Sequence, residues 1–583
     1  MTLTNRDYNY LFVSDLHLSE GQDPLTGRLS RNEDFFYDDA FADFLVYHIG
    51  LGQQEGDNAR FQRPWKLVIN GDIFDFLQVT TPPAEEEREE ALGTINFSPN
   101  KQEYGLGTSS RETVWKLGRI VAGHPRFFQA LGWFLAARPE NELLLLKGNH
   151  DIEIFWPAVK RRLRQVIGEG YESWQAEQAA GLDPDSPLPR DGILAGGHQW
   201  PEALADLDQR VHFPAWYYYE PSLFYAEHGN QYDPANAFID FLNPVLREDP
   251  PPPEDEKQVK LPSGSFFVRY FFNKVEQIHP FADNIKPLTR YLRWSFTKEP
   301  AATARMLVNN LPKLWRIMAN LREKGANPVE GQQELQESLK QPEPQSKRSA
   351  KAPPPGARLL SLDRARRDKI DLMRQEHLKE ASGRSRNVAR GTAVGLAVNG
   401  SQYYWLASAL RAFNDRAYGR MLRHLVLVGA SFVGGTLLSR LLDTIDNYVG
   451  LDEVGRKVAN ILNAQDEKGE SAAVPYHLFG HDHHPDLQPL EVNREHAPPF
   501  RQWYVNTGSW LSSFDEQARL TRGDVQFTFF RLLPDPAPRG HDHLSALLEW
   551  LPRRQAVRSI LLFGSAGEAG FEVAVEDIPE VRA

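Results

Sequence analysis

The sequence predicts an α/β protein that carries its functional residues at the ends of buried strands. Three short apolar runs, rich in branched and aromatic residues, each lead into polar residues. They are 8–14 before Asp15, 65–70 before Gly71-Asp72, and 142–147 before Gly148-Asn149-His150-Asp151. Helical stretches at 34–48 and 110–137 lie between them. Strands that alternate with helices form sheets whose functional sites lie at the strand ends.

Length and composition limit the possible classes. A chain of 583 residues is expected to form two or more structural units, one of which is inserted into another. A formal charge of -12 argues against a protein whose main task is to coat nucleic acid, although a local basic segment can override that mean. The chain has no cysteine, so any metal must be held by His, Asp, Glu or Asn.

The N-terminal segment 1–17 lacks a basic start followed by an apolar run, which is the pattern of a secretory signal. We therefore expect a cytoplasmic protein.

The pattern of strands changes in the middle of the chain and then returns. A helix is predicted near 156–167 and a strand at 224–227 before His228. A proline-rich acidic connector follows 243, then amphipathic stretches to about 324 and a polar, proline-rich linker at 325–357. Strand patterns return at 474–479 and 503–509. The predicted units are a first domain part at 1–242, a mainly helical insertion at 243–470 with a flexible basic linker near 325–390, and a second domain part at 471–583.

Two motifs offer carboxylates directly after strands. Asp15-Leu16-His17 puts a carboxylate and an imidazole two positions apart, and alone it is more typical of a helix cap or loop beside a surface histidine. Gly71-Asp72-Ile73-Phe74-Asp75 adds further carboxylates, with a glycine that lets the backbone come close to a metal. Its alternative interpretation is a simple turn.

Three later motifs supply an amide and imidazoles. Asn149 is a plausible hard ligand, and the adjacent His150 can donate a proton to a leaving oxygen. His228 follows a strand, where a lone histidine is usually structural. His481 and His483 lie two positions apart in one loop, a spacing that can serve two neighbouring ions.

The five motifs together favour a metal site. Three carboxylate or amide ligands and four imidazoles exceed the needs of one ion, so a pair about 3.5 to 4 Å apart, bridged by one carboxylate, is the economical arrangement. Oxygen and nitrogen ligands without sulfur suit Mn, Fe or Zn, among which we favour Mn.

The order D-x-H, G-D-x-x-D, G-N-H-D, H, G-H-x-H resembles the calcineurin-like metallophosphoesterases over about 1–240 and 471–515. The resemblance implies a four-layer sandwich of two mixed β-sheets flanked by helices. It also implies two metal sites bridged by Asp72. One site would be formed by Asp15, His17 and His483, and the other by Asn149, His228 and His481.

The resemblance further implies that His150 protonates the leaving group, that Asp151 orients His150, and that Asp75 lies just outside the ligands. The sequence departs from the family at two points. Phe76 stands where many members carry an arginine that contacts phosphate, and Asn230 ends a His-Gly-Asn triplet where relatives often have His or Asp. Neither change removes a predicted ligand.

The insertion contains apolar and basic segments with several possible roles. Residues 265–296 interleave aromatic and basic residues, 391–410 is a run of 20 residues without a charge, and 425–439 is a run of 15. These segments are compatible with membrane spans, peripheral lipid contact or a buried helical core. Residues 347–390 hold 13 Lys or Arg against 5 Asp or Glu, which suits an anionic membrane, a nucleic-acid-binding arm or a solvated linker.

The sequence therefore predicts a hydrolase acting on a phosphomonoester, phosphodiester or pyrophosphate in a phosphorylated small molecule or a lipid-linked substrate. Its His-Gly motif and its insertion are loosely similar to those of the bacterial UDP-diacylglucosamine pyrophosphatases. The expected location is the cytoplasm, with peripheral contact at the inner face of a membrane through the insertion. The alternatives are a nuclease or cyclic-nucleotide phosphodiesterase on the same fold, and a scaffold that keeps the fold without the chemistry.

Overall fold

The computed structural model describes residues 4–50, 62–273, 362–397, 450–511, 527–534 and 544–549, with short gaps at 25, 184–185, 191–198, 249, 263, 266–267 and 467. Within these residues the chain is a mixed α/β structure with two mixed β-sheets and helices. The linker predicted at 325–357, the apolar run 425–439 and most of the run 391–410 lie outside the described residues.

The first sheet brings three of the predicted motifs to one edge. Its strands are β1 (Asn9–Val13), β2 (Trp65–Asn70), β3 (Glu142–Leu146), β4 (Val211–His212), β10 (Phe529–Pro534) and β11 (Leu544–Glu549). They lie in the order β11-β10-β1-β2-β3-β4. Strands β1 to β4 are parallel, β10 is antiparallel to β1, and β11 is antiparallel to β10. Because β1, β2 and β3 are parallel, Asp15, Asp72 and Asn149 all follow the same edge.

The second sheet carries the remaining motifs. Its strands are β5 (Tyr217–Glu220), β6 (Phe224–Glu227), β7 (Tyr476–Phe479), β8 (Asp486–Pro489) and β9 (Trp503–Asn506), in the order β5-β6-β7-β9-β8. The three central strands are parallel, and the two edge strands are antiparallel to them. His228 directly follows β6, and the loop after β7 holds His481 and His483.

The described helices are α1 (Asp38–Gly50), α2 (Arg88–Leu92), α3 (Pro99–Tyr104), α4 (Ser110–Gly123), α5 (Pro125–Ala137), α6 (Pro157–Ala180), α7 (Leu207–Arg210), α8 (Arg364–Ala397) and α9 (Leu451–Asn463). None of these helices has the length and apolarity needed to cross a bilayer.

Strand alternation sends side chains to two different cores. Phe12 of β1 and Phe224 of β6 are fully buried with their ring centroids 4.9 Å apart, so these faces of the two sheets contact each other. Leu11 and Val13, the alternate residues of β1, belong instead to the large core that contains residues of α1 and α5. Because every residue of β1 is buried, neither face of the strand is exposed to solvent, as is typical of parallel strands covered on both sides.

The helical stretch predicted at 110–137 is two helices rather than one. His124 ends α4 with φ −130° and ψ 49°, and α5 starts at Pro125. Proline has no N–H to continue a helix, and it disfavours helical backbone in the residue before it. Pro125 therefore causes the break between the two helices.

The proline-rich acidic connector after 243 packs against the first domain part. Gln258 accepts a hydrogen bond from the Thr108 N–H at 2.7 Å and donates to Glu112 at 2.8 Å. Arg111 of α4 forms an ion pair with Asp255 at 2.5 Å. This connector is thus held by specific contacts along α4.

Candidate metal centre

Most of the predicted ligands share an unusual backbone conformation. In the described part of the chain, seven non-glycine residues have positive φ, and five of them are predicted ligands: Asp15 (54°), His17 (52°), Asp72 (49°), His481 (74°) and His483 (60°). Left-handed backbone is unfavourable for residues that carry a β-carbon, and such strain concentrates at functional sites. The loops after the strands are therefore shaped to turn these side chains toward one place.

The first group consists of Asp15, His17 and His483, whose candidate ligand atoms all lie within 4.8 Å of one another. His483 Nε2 is 3.3 Å from Asp15 Oδ1, and His17 Nε2 is 3.9 Å from the same oxygen. Asp15 is fully buried and His17 is 3% exposed. This is the set of residues that the sequence predicts for one metal ion.

The second group consists of Asp72, His228 and His481, which satisfy the same 4.8 Å criterion. His228 Nε2 lies 3.0 Å from Asp72 Oδ2. The Nδ1–H of His228 donates to the carbonyl oxygen of Asn70 at 2.9 Å, so Nε2 is the ring nitrogen that faces Asp72 and the candidate metal ligand. The second predicted set is therefore also brought together.

Asp72 links the two groups, and Asn149 is a further candidate ligand. Asp72 Oδ2 lies 3.8 Å from His17 Nε2 of the first group and 3.0 Å from His228 Nε2 of the second. The Asn149 side-chain carbonyl oxygen is buried and has no hydrogen-bond partner among the described residues. A buried amide oxygen without a donor is costly unless a cation or water satisfies it, which is the role the sequence predicts for Asn149.

Glycines make the close approach of the motifs possible. A β-carbon at Gly71 would lie 2.4 Å from His228 Nδ1, and one at Gly148 would lie 2.2 Å from Asp72 Oδ1. A β-carbon at Gly480 would lie 2.6 Å from Asp15 Oδ2. Each of these glycines thus leaves space for a ligand that belongs to another motif.

The partner of His150 differs from our expectation. The Nδ1–H of His150 donates to Asp75 Oδ2 at 2.5 Å, whereas Asp151 accepts from the backbone N–H groups of Gly148 at 2.6 Å and Ile73 at 2.8 Å. Asp151 therefore shapes the backbone of the site, and Asp75 orients His150. The sequence predicts both Asp75 and Asp151 at the site. Which of the two contacts His150 depends on the conformations of the turns after β2 and β3.

Charges within the site shift its pKa values strongly. Burial raises the pKa of Asp15, but His228, His17 and His483 outweigh burial and hold that pKa well below its usual range. Burial opposes protonation of His228, yet Asp72 and Asp15 raise its pKa to about 9. The site thus pairs ionised carboxylates with basic imidazoles, a charge pattern that a bound cation can replace.

Sequence reasoning missed one residue at this site. Asp233 is half-buried and accepts a hydrogen bond from His481 Nε2 at 3.2 Å. Asp233 also accepts from the Ala235 N–H at 2.9 Å and the Asn236 amide at 2.7 Å. Its only sequence signal is its place five residues after His228, because the contact with His481 spans 248 positions.

Comparisons with protein-family models, curated proteins and solved structures returned no match to this chain.

Proposed function

We propose that this protein is a metal-dependent phosphoesterase that uses two divalent cations to hydrolyse a phosphate ester or pyrophosphate bond. The observation that carries the proposal is the position of Asp72 Oδ2, 3.0 Å from His228 of one histidine–carboxylate group and 3.8 Å from His17 of the other. One carboxylate oxygen between two groups of ligands is an arrangement that suits a bridged pair of cations.

The donor set fits divalent cations of intermediate hardness. Carboxylate oxygens, an amide oxygen and imidazole nitrogens, without sulfur, suit Mn, Fe or Zn, and we retain Mn as the first choice. Asp15, His17 and His483 would hold one ion, Asn149, His228 and His481 the other, and Asp72 both. Asp233 would orient His481 as a carboxylate behind a metal-bound histidine.

The residues of the chain have separable tasks in this reaction. Bound cations would lower the pKa of a shared water and offset the charge on the phosphoryl oxygens. His150 holds a proton that it can pass to the leaving oxygen, and Asp75 keeps its ring oriented through Nδ1. The side chains of His150 and His483 are 14% and 16% exposed, whereas those of Asp15 and Asp72 are at most 1% exposed. Substrate therefore reaches the site from the side of His150 and His483.

The family is part of the same proposal. Two sheets that contact each other through Phe12 and Phe224, with helix-containing core on the other face of β1, support a four-layer sandwich of the calcineurin-like type. The substrate remains a phosphorylated small molecule or a lipid-linked compound.

The test is hydrolysis of p-nitrophenyl phosphate and bis-p-nitrophenyl phosphate by protein reconstituted with Mn. Asp72→Asn should abolish turnover because it removes the bridging charge. Asp206→Asn is the matched control, since Asp206 has a similar φ of 55° but is exposed and away from the site. Metal-dependent turnover lost only in Asp72→Asn supports the proposal. Tight metal binding without turnover on any phosphoester would favour the scaffold, and no metal binding would refute the metal centre.

A further inference from the structure

A buried ion pair outside the metal centre connects the two turns that carry Asp75 and His150. Lys116 of α4 is 1% exposed and Glu153 is fully buried, with Lys116 Nζ 3.3 Å from Glu153 Oε1. The same ammonium donates to the carbonyl oxygen of Phe76 at 3.1 Å. Phe76 directly follows Asp75, and Glu153 is the third residue after His150. One cation thus contacts both turns.

The contact with Phe76 fixes the turn that aims Asp75. Asp75 Oδ1 accepts from the N–H groups of Leu77 at 2.9 Å and Gln78 at 3.0 Å, so its side chain is tied to the backbone that directly follows Phe76. The other oxygen, Oδ2, is the one that contacts His150. A displacement of the Phe76 carbonyl would therefore rotate or shift the carboxylate that orients the imidazole.

The contact with Glu153 fixes the turn that follows His150. Glu153 lies in the 3-10 helix Ile152–Phe155, which begins directly after Asp151. Asp151 in turn holds the Gly148 and Ile73 backbone. The two groups that Lys116 contacts thus lie within one and three residues, respectively, of Asp75 and His150.

Burying this pair is expensive, which argues that it does more than fill space. Two charges removed from water seldom stabilise a fold more than apolar residues of the same volume would. Burial lowers the pKa of Lys116 and raises the pKa of Glu153, so the attraction between the two groups offsets only part of the cost of their desolvation. Arg269, which is 8% exposed, adds a second positive charge near Glu153.

We infer that Lys116 and Glu153 are positioning residues that hold the Asp75–His150 hydrogen bond in the geometry needed to protonate the leaving group. This inference rests on the proposed function. It predicts that the pair affects one chemical step, namely proton transfer to the leaving oxygen, and leaves metal binding unchanged.

The leaving group distinguishes this role from a general structural one. Nitrophenolate leaves without a proton near neutral pH, whereas an alkoxide needs one. If the wild-type protein hydrolyses phosphomonoesters, the experiment compares p-nitrophenyl phosphate with β-glycerophosphate. If it hydrolyses phosphodiesters, the experiment compares bis-p-nitrophenyl phosphate with glycerophosphocholine. The variants are Glu153→Gln, which removes the charge and keeps the shape, and Lys116→Met with Glu153→Leu, which removes both charges of the pair. Metal content and thermal unfolding are measured on the same samples.

The matched control is Glu142→Gln, because Glu142 forms an ion pair with Lys66 at 2.9 Å at the start of β3, at the opposite end of the strand from Asn149. We expect the Lys116 and Glu153 variants to lose roughly 10- to 100-fold in kcat/KM on the alkyl ester and much less on the nitrophenyl ester. The inference would be overturned if kcat/KM fell equally on both esters or did not fall at all. It would also be overturned if the variants lost their metal or if both variants failed to fold. Absence of turnover in the wild-type protein would instead refute the proposed function.

Discussion

The Nε2 atoms of His17 and His483 lie 3.2 Å apart, although 466 positions separate the two residues in the sequence. His17 follows β1 of the first sheet and His483 follows β7 of the second, so this contact joins the edges of both sheets. A cation held there would connect segments from opposite ends of the chain, and its binding energy would add directly to the stability of the folded state.

Metal binding should therefore raise the midpoint of thermal unfolding. At a free Mn concentration about 100 times its dissociation constant, the stabilisation is about 2.7 kcal/mol. Thermal scans with a chelator and with added Mn measure the shift. Asp72→Asn should lose most of it, whereas Asp206→Asn should keep it. An equal shift in both variants would mean that Mn binds elsewhere.

His150→Gln should separate catalysis from metal binding. It removes the proton donor but none of the predicted ligands, so turnover of an alkyl ester should fall by roughly 100-fold or more while the metal content is kept. Asp75→Asn should follow the same pattern with a smaller loss, because Asp75 accepts from His150 Nδ1. Steady-state kinetics and metal analysis of both variants test this. Loss of metal in His150→Gln would make His150 a ligand.

Asp151→Ala should mainly affect stability. It leaves the buried N–H groups of Gly148 and Ile73 without their acceptor, at a cost of about 1 to 3 kcal/mol each. Denaturant unfolding measures the loss, and Asp75→Asn is the comparison. If Asp151→Ala instead matched His150→Gln in kinetics with unchanged stability, Asp151 would be the orienting residue after all.

The sequence predicts six residues that the structure gathers into two histidine–carboxylate groups, but it misses Asp233 and some of the contacts within the site. Asp15, Asp72 and Asn149 follow parallel strands, and parallel strands deliver their ends to one edge, so their convergence is a local consequence of the pattern. The partner of His150 depends on the turn after Asp75, and the contact of Asp233 with His481 spans two distant segments. Neither leaves a periodic signal in the sequence.

The first and last residues of the strands and helices were likewise predicted only in part. β2 matches the prediction at 65–70, because an apolar run ending in Gly71 has clear limits. The helix predicted at 34–48 begins only at Asp38, and the strand predicted at 474–479 begins at Tyr476. In both cases most of the preceding residues are buried without being part of the element, so an apolar pattern in the sequence could not separate them from it.

Gly148→Ala should disable the metal centre. Its β-carbon would lie 2.2 Å from Asp72 Oδ1, too close for any arrangement that keeps the carboxylate in place. Gly118→Ala is the matched control, because no atom lies within 4 Å of a β-carbon at this position in α4. Alanine should stabilise that helix by about 0.5 to 1 kcal/mol. Metal-dependent activity should be lost only in Gly148→Ala, and its retention there would show that Asp72 can move without harm.

His124 should make the stability of the fold depend on pH. Its Nδ1 lies 3.1 Å from Asp38 and its Nε2 3.1 Å from Glu33. Burial opposes protonation, but these two carboxylates raise the pKa of His124 from 6.5 to about 10. Because the folded chain binds this proton more tightly than the unfolded chain, the stabilisation is complete below about pH 6.5 and is lost as the pH rises through about 10.

The measurement is the difference in unfolding midpoint between the wild-type protein and His124→Gln, which keeps hydrogen-bonding groups but cannot take up the charge. The difference should be largest near pH 6.5 and should shrink toward pH 10, where wild-type His124 is losing its proton. Comparing the two proteins at each pH cancels the titration of all other groups. A difference that stays constant, or that grows with pH, would mean that His124 is neutral in the folded protein and that Glu33 and Asp38 are held by other donors.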